Sequence, residues 1–96
     1  MFAFGDVEWP GISKLAEECG EVVQVVGKLI QTRGKLKHWN VPDLKVALED
    51  EIADVMAAST FVINVCGLNA QRISVRASEK LALFKRWHAG ENDPIA

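Results

Sequence analysis

Apolar residues recur every three or four positions along three stretches of this 96-residue chain. In the first stretch this spacing places one apolar stripe along a helix that runs from about residue 12 to about residue 32. Gly34 follows the stripe and is expected to end the helix. The repeating residues are Ile12, Leu15, Cys19, Val22, Val23, Val26, Leu29 and Ile30.

The same spacing predicts two further helices. The second covers about residues 44 to 66 and stops at Gly67, and the third begins after Asn69, a residue type that often caps a helix N-terminus. A polar stretch, residues 33 to 42, separates the first two helices. We therefore predict an all-α fold in which an antiparallel helical hairpin is followed by a third helix, with residues 1–96 forming a single domain.

Two acidic clusters interrupt these apolar helices. Glu18 and Glu21 lie three residues apart in the first helix, and Glu51 and Asp54 lie three apart in the second, so each pair points from one helix face. The midpoint between the pairs is near Leu36, at the centre of the connecting stretch. Both pairs should therefore stand at one level of the hairpin and face each other.

Four carboxylates at that proximity cannot all stay ionised without a cation. A set of oxygen ligands favours Mg²⁺, with Mn²⁺ as a substitute. An acidic string alone is common on solvated helix faces. The matched level of the two pairs is what favours a metal site over such a surface.

Charge and composition exclude several classes of function. The net charge is -2 with mixed signs, and no basic stripe of the kind that binds nucleic acid is present. No uncharged run reaches the roughly 18 residues of a membrane span. Cys19 and Cys66 have neither a CxxC spacing nor a His partner at metal-ligand spacing, and we interpret both as core residues of a protein in a reducing cytoplasm.

Apolar residues on more than one helix face predict association. Three helices cannot bury all of these residues within one chain, and the remainder would form a larger patch than soluble monomers usually expose. We expect a homo-oligomer, a dimer or a tetramer, that builds a larger helical bundle. The third helix of one subunit, or its loop around Trp39, would help to close the cleft of another.

In these features the chain resembles the MazG-like all-α nucleoside triphosphate pyrophosphatases. Their signature is a Glu-x-x-Glu helix followed by a Glu-x-x-Asp helix, which Glu18/Glu21 and Glu51/Asp54 match. The resemblance covers about residues 12 to 88 and includes the basic segment of residues 79–87. It implies hydrolysis of a nucleoside triphosphate, often a deoxynucleotide, to the monophosphate and pyrophosphate. It also implies a cytoplasmic enzyme, bacterial or phage-encoded.

The resemblance also implies roles for individual residues. Glu18, Glu21, Glu51 and Asp54 would be the Mg²⁺ ligands, and Glu17 is the candidate that orients or deprotonates the attacking water. Lys80 and Arg86 are the family-like candidates for substrate binding. Two further candidates come from the residues themselves, Lys28 from its helix position and Trp39 from its large amphipathic ring. Lys28 follows Glu21 by two helical turns, about 10 Å, on the same face. One departure is that Arg76 and Ala77 stand where the family often has an Asn ahead of its Lys.

Two alternatives remain open from the sequence. One is a non-catalytic, oligomeric helical interaction module whose acidic residues merely face solvent. The other is a carboxylate-bridged di-metal bundle, a class that uses Glu-x-x-His pairs. No Glu-x-x-His occurs in this chain, which disfavours that class.

Overall fold

The computed structural model describes residues 9–35 and 43–91. Within these ranges the chain forms three α-helices and no strand: α1 (Ile12–Gln31), α2 (Leu44–Val65) and α3 (Ala70–His88). The predicted all-α class and its three helices are confirmed, with bounds within one or two residues of those expected. The predictions for Trp39 and most of its loop lie outside the described residues.

Polar side chains cap the N-termini of the second and third helices. The Asp43 carboxylate accepts hydrogen bonds from the backbone N–H groups of Lys45 and Val46, at 2.9 and 3.1 Å. The Asn69 side-chain oxygen accepts one from the backbone N–H of Arg72 at 2.9 Å, as predicted. Each bond satisfies an amide that has no partner within the helix, so the two helices begin where these residues stand.

The start of α1 packs closely against the end of α2. The Cys66 thiol donates to the backbone oxygen of Pro10 across 3.4 Å. Gly11 has φ 86, and a Cβ built there would lie 2.6 Å from the Phe61 ring and 3.0 Å from Val62. Glycine is therefore required twice at this position, once for its backbone conformation and once for the close approach of α2.

Buried side chains of the described residues belong to the α1–α2 pair. The buried apolar residues are Val25 of α1 and Leu44, Ala58 and Val62 of α2. The start of α1 touches the end of α2, and the middle of one helix meets the middle of the other. This order of contacts is the one expected when two helices run in opposite directions.

The third helix stands largely apart from that pair. Within the described ranges, α1 and α2 make the extensive helix contact, whereas α3 barely touches either. No residue of α3 is buried, and only Lys80, Leu83 and Trp87 are even half-buried. The rings of Phe84 and Trp87 lie 5.6 Å apart and tilted, so the local aromatic contact is within α3 itself.

The shape of the chain is open for its size. Its radius of gyration is 16.3 Å, against about 13 Å for a compact domain of about 100 residues. Its accessible surface is 7590 Å², whereas a compact monomer of this mass exposes about 5,500 Å². The difference is surface that one chain leaves uncovered.

One core prediction is wrong. Cys19 was expected inside the first helix interface, yet it is exposed, whereas Cys66 is half-buried. Cys19 instead borders a shallow apolar groove together with Val22, Ile52, Val55 and Met56. Apolar spacing places Cys19 on an apolar face of α1 but does not say which apolar face α2 covers.

In the described part of the chain, no helix combines the length and apolarity that a bilayer crossing requires.

Candidate metal centre and adjoining cleft

The four predicted acidic side chains come together at the middle of the α1–α2 pair. One carboxylate oxygen from each of Glu18, Glu21, Glu51 and Asp54 lies within 4.8 Å of the others. Each helix supplies two of them, because residues three apart share a helix face. The two acidic faces therefore meet where α1 and α2 are in contact.

Burial differs within this acidic cluster. Glu18 is buried, with 7% of its surface exposed, Glu21 and Glu51 are half-buried, and Asp54 is exposed. The cluster is therefore open to solvent on the Asp54 side and closed on the Glu18 side.

Crowding changes the protonation of Glu21. Its pKa is raised from 4.5 to about 7, first because its protonated form hydrogen-bonds Glu51. The negative charges of Glu18 and Glu51 raise it further, followed by burial and the charge of Glu17. This agrees with the expectation that four such carboxylates do not all ionise by themselves.

Two oxygens of the acidic cluster are buried without a hydrogen-bond donor. Among the residues that the structure describes, Glu18 Oε2 and Glu51 Oε2 have no partner. An unsatisfied buried carboxylate oxygen is costly, and a cation coordinated there would remove that cost. The atoms that could coordinate a cation here are all carboxylate oxygens, the ligand type that hard divalent cations take. The residues present therefore fit a bound hard divalent cation.

Lys14 is a residue that the sequence interpretation missed. Its ammonium lies 3.1 Å from a Glu18 oxygen and 3.3 Å from a Glu17 oxygen. The hydrogen bond to Glu18 raises the pKa of Lys14, followed by that to Glu17. A Lys followed by acidic residues at three and four positions is visible in the sequence. Lys14 brings a positive charge to the edge of the acidic cluster.

A cleft of about 340 Å³ adjoins the acidic cluster. It shares Glu18 and Asp54 with the cluster, and Lys14 stands on its wall. The remaining lining residues are Gly11, Ala57, Ala58 and Phe61. The two small alanines follow Asp54 by about one turn and leave this space open beside the carboxylates.

Among the described residues, three of the other predicted site residues, Lys28, Lys80 and Arg86, do not line the cleft beside the acidic cluster. Lys28 is half-buried in α1 but does not line the cleft. Lys80 and Arg86 are on α3, which barely touches the α1–α2 pair. Arg86 pairs instead with Glu91, its Nε 3.2 Å from a carboxylate oxygen. Glu17 is exposed and bonded to Lys14, and Trp39 lies outside the described residues.

An all-helical protein with two acidic pairs facing each other across a helix contact is the class that this geometry defines. The model of one protein family, the MazG nucleotide pyrophosphohydrolase domain, matches residues 11–85. The matched range contains both acidic pairs and most of α3, and the chain therefore belongs to this family. Searches of curated proteins and of solved structures found no match.

Proposed function

We propose that this protein is a Mg²⁺-dependent nucleoside triphosphate pyrophosphohydrolase that forms the monophosphate and pyrophosphate. The observation that carries the proposal is the convergence of four carboxylate oxygens within 4.8 Å in a chain of the MazG family. Residues 1–96 would act as one domain of a cytoplasmic enzyme. Nucleoside triphosphates, including deoxynucleotides, are the proposed substrates.

The acidic cluster is the proposed metal site. Glu18, Glu21, Glu51 and Asp54 would hold one or more Mg²⁺ ions, and Mn²⁺ would substitute. A cation bound there supplies charge neutralisation for phosphate oxygens that otherwise repel an attacking water. The unsatisfied oxygens of Glu18 and Glu51 support this assignment.

Glu17 is the proposed proton acceptor. The water oxygen forms a bond to the α-phosphorus, the bond from that phosphorus to the bridging oxygen breaks, and pyrophosphate leaves. The water proton passes to a carboxylate, for which Glu17 is the candidate because it adjoins the acidic cluster without belonging to it. Its carboxylate accepts a hydrogen bond from Lys14, a residue of the cleft wall.

Positively charged side chains would balance the remaining negative charge of the phosphates. Lys28 on α1 and Lys80 and Arg86 on α3 are the proposed contacts, with Trp39 as a further substrate-binding residue. A planar guanidinium suits bidentate phosphate binding. Because α3 barely touches the α1–α2 pair of its own chain, Lys80 and Arg86 would serve the acidic cluster of a second subunit.

A homo-oligomer, a dimer or tetramer, is the proposed functional form. The open shape supports it, as do large exposed apolar side chains on both regions, such as Met56 on α2 and Leu81 and Phe84 on α3. In a bundle of two or more chains these side chains would pack against each other.

Product analysis with a panel of nucleoside and deoxynucleoside triphosphates tests the activity. With Mg²⁺ the expected products are monophosphate and pyrophosphate in equal amounts, and no turnover is expected with a chelator. Formation of diphosphate and orthophosphate would contradict the proposal, since attack would then occur at the γ-phosphorus.

A further inference from the structure

Lys14 pairs with the most buried member of the acidic cluster. Its ammonium lies 3.1 Å from Oε1 of Glu18, one helical turn along α1, and Glu18 is 7% exposed. Within residues 9–35 and 43–91, no other cation lies within ion-pair distance of a clustered carboxylate. Lys14 is therefore the positive charge that this part of the chain itself supplies to the cluster.

The two oxygens of the Glu18 carboxylate have different surroundings. Oε1 is paired with Lys14, whereas Oε2 is buried and has no hydrogen-bond partner among the described residues. A buried carboxylate oxygen without a partner is costly, and a cation coordinated there would remove that cost. Lys14 and a metal ion would then share one carboxylate, and their like charges repel each other.

We propose that Lys14 is a built-in counter-cation of Glu18, which stabilises the metal-free protein and weakens its binding of Mg²⁺. The inference rests on the proposed function only for the metal site, and it concerns how that site is regulated. A cation that binds Glu18 gains less when the carboxylate already has a partner, and it also meets the repulsion of the ammonium. Lys14 thereby raises the Mg²⁺ concentration at which the site fills.

Calorimetry with Mg²⁺ alone, without nucleotide and at one pH, tests this role. Lys14→Met removes the ammonium and keeps most of the aliphatic stem, and its dissociation constant for Mg²⁺ should be about fivefold or more below that of wild type. Lys14→Gln should change it in the same direction, and Lys14→Arg, which keeps the charge, should stay within twofold of wild type. Lys45→Met is the matched control, because Lys45 is an exposed lysine of α2 outside the cluster, and it should also stay within twofold.

Thermal unfolding in a chelator should change in the opposite sense. Lys14→Met should unfold about 4 °C or more below wild type, because Glu18 loses the charge that compensates its own. The same change made in a Glu18→Gln protein should lower the unfolding temperature less than half as much, since the neutral side chain needs no counter-charge. A lysine that only packs against α1 would give equal losses in the two backgrounds.

The outcomes separate this inference from the proposed function. Mg²⁺ binding by Lys14→Met that equals wild type or is weaker would overturn the inference, even if the enzyme hydrolyses triphosphates. Equal losses of unfolding temperature in the two backgrounds would overturn it as well. A wild-type protein that binds Mg²⁺ but hydrolyses no triphosphate would overturn the proposed function, and tighter Mg²⁺ binding by Lys14→Met would then still support the role of Lys14. A wild-type protein that binds no Mg²⁺ would overturn both.

Discussion

The three helices are similar in length, at 20, 22 and 19 residues. They differ in packing, because α1 and α2 pack against each other whereas α3 barely touches either. The pair contains the buried side chains among the described residues, and α3 contains none. The acidic cluster and the cleft both occur where α1 and α2 hold each other. The four clustered carboxylates are thus positioned where α1 and α2 pack against each other.

Within the described residues, α3 lacks such packing. Its apolar residues Ile73, Leu81 and Phe84 are exposed, and its cations Lys80 and Arg86 face no carboxylate of the acidic cluster in the same chain. The comparison indicates that the acidic cluster is complete within one chain, whereas the phosphate contacts that we propose for Lys80 and Arg86 would need a second subunit. The following changes act on one region and leave the other intact.

The largest expected effect is on turnover when a carboxylate of the acidic cluster is neutralised. Glu21→Gln and Asp54→Asn should each lower kcat/KM about 100-fold or more, because each removes a charge that holds the cation at the phosphates. The metal-free variants should unfold at the same temperature as wild type or higher, since repulsion within the cluster is relieved. Steady-state kinetics and thermal unfolding in a chelator measure the two effects.

Asp50→Asn is the matched control for these variants. Asp50 is an exposed acid of α2 that is not one of the four clustered residues. Its change should leave kcat/KM within about twofold of wild type. Glu21→Gln or Asp54→Asn with activity in that same range would show that these residues are not metal ligands.

A charge placed on the apolar stripe of α3 should break the assembly. Leu81→Glu puts a carboxylate on a side chain that is 54% exposed in one chain and that we expect to be buried in the oligomer. Light scattering should give a mass near the 10.6 kDa of one chain, with activity falling about tenfold or more because Lys80 and Arg86 no longer reach a partner.

Ser78→Glu places the same carboxylate on an exposed polar position of α3 and should leave the oligomer and its activity unchanged. A wild-type protein that scatters as an active monomer near 10.6 kDa would contradict the proposed assembly outright.

Two glycines with similar backbone conformations separate packing from backbone strain. Gly11 has a φ of 86, and side chains of α2 lie against it. Gly90, which follows α3, has a φ of 91, and no atom lies within 4 Å of the position that a Cβ would take. Gly90→Ala should cost about 1 kcal/mol of unfolding free energy from strain alone. Gly11→Ala should cost about 2–4 kcal/mol, because the new methyl group also overlaps the Phe61 ring.

Chemical denaturation at one protein concentration measures both glycine variants. Equal losses of stability would mean that the start of α1 does not depend on its close contact with α2.

The smallest effect is on the pH dependence of stability. The folded protein raises the pKa of Glu21 to about 7, so folding favours its protonated form. That contribution is fully present below the ordinary pKa of 4.5 and is lost as the pH rises through about 7. In a chelator, the unfolding temperature of Glu21→Gln minus that of wild type should therefore grow between pH 5 and pH 8. A constant difference over this range would contradict the crowding of Glu21 by its neighbours.

Local rules were enough to predict the helices and the acidic cluster. Asn69 caps α3 by accepting a hydrogen bond from the backbone N–H of Arg72, three residues along the chain. In any helix, residues three apart share a face, as do the members of each pair Glu18/Glu21 and Glu51/Asp54. Their meeting needed one further step, the equal distance of both pairs from residue 36. These are short-range regularities that a sequence displays directly.

What could not be predicted depends on which faces touch. Cys19 was placed in the core because α1 is apolar on more than one side, and the spacing does not say which side α2 covers. The relation of Lys80 and Arg86 to the acidic cluster depends on the direction of α3 after Gly67, which no periodicity encodes. Lys14 was missed for a different reason, since its ion pairs follow ordinary helical spacing and only the cleft gives them a role.

Thermal unfolding with and without Mg²⁺ tests the central claim, that the acidic cluster is a metal site, most directly. At a fixed protein concentration, saturating Mg²⁺ should raise the unfolding temperature of wild type and of Asp50→Asn by about 10–20 °C. At a Mg²⁺ concentration 100 times the dissociation constant, binding adds about 2.7 kcal/mol to the free energy of unfolding. Each kcal/mol raises the unfolding temperature of a domain of this size by about 4–8 °C. Asp54→Asn should show little shift. An equal shift in Asp54→Asn, or no shift in wild type, would contradict the claim.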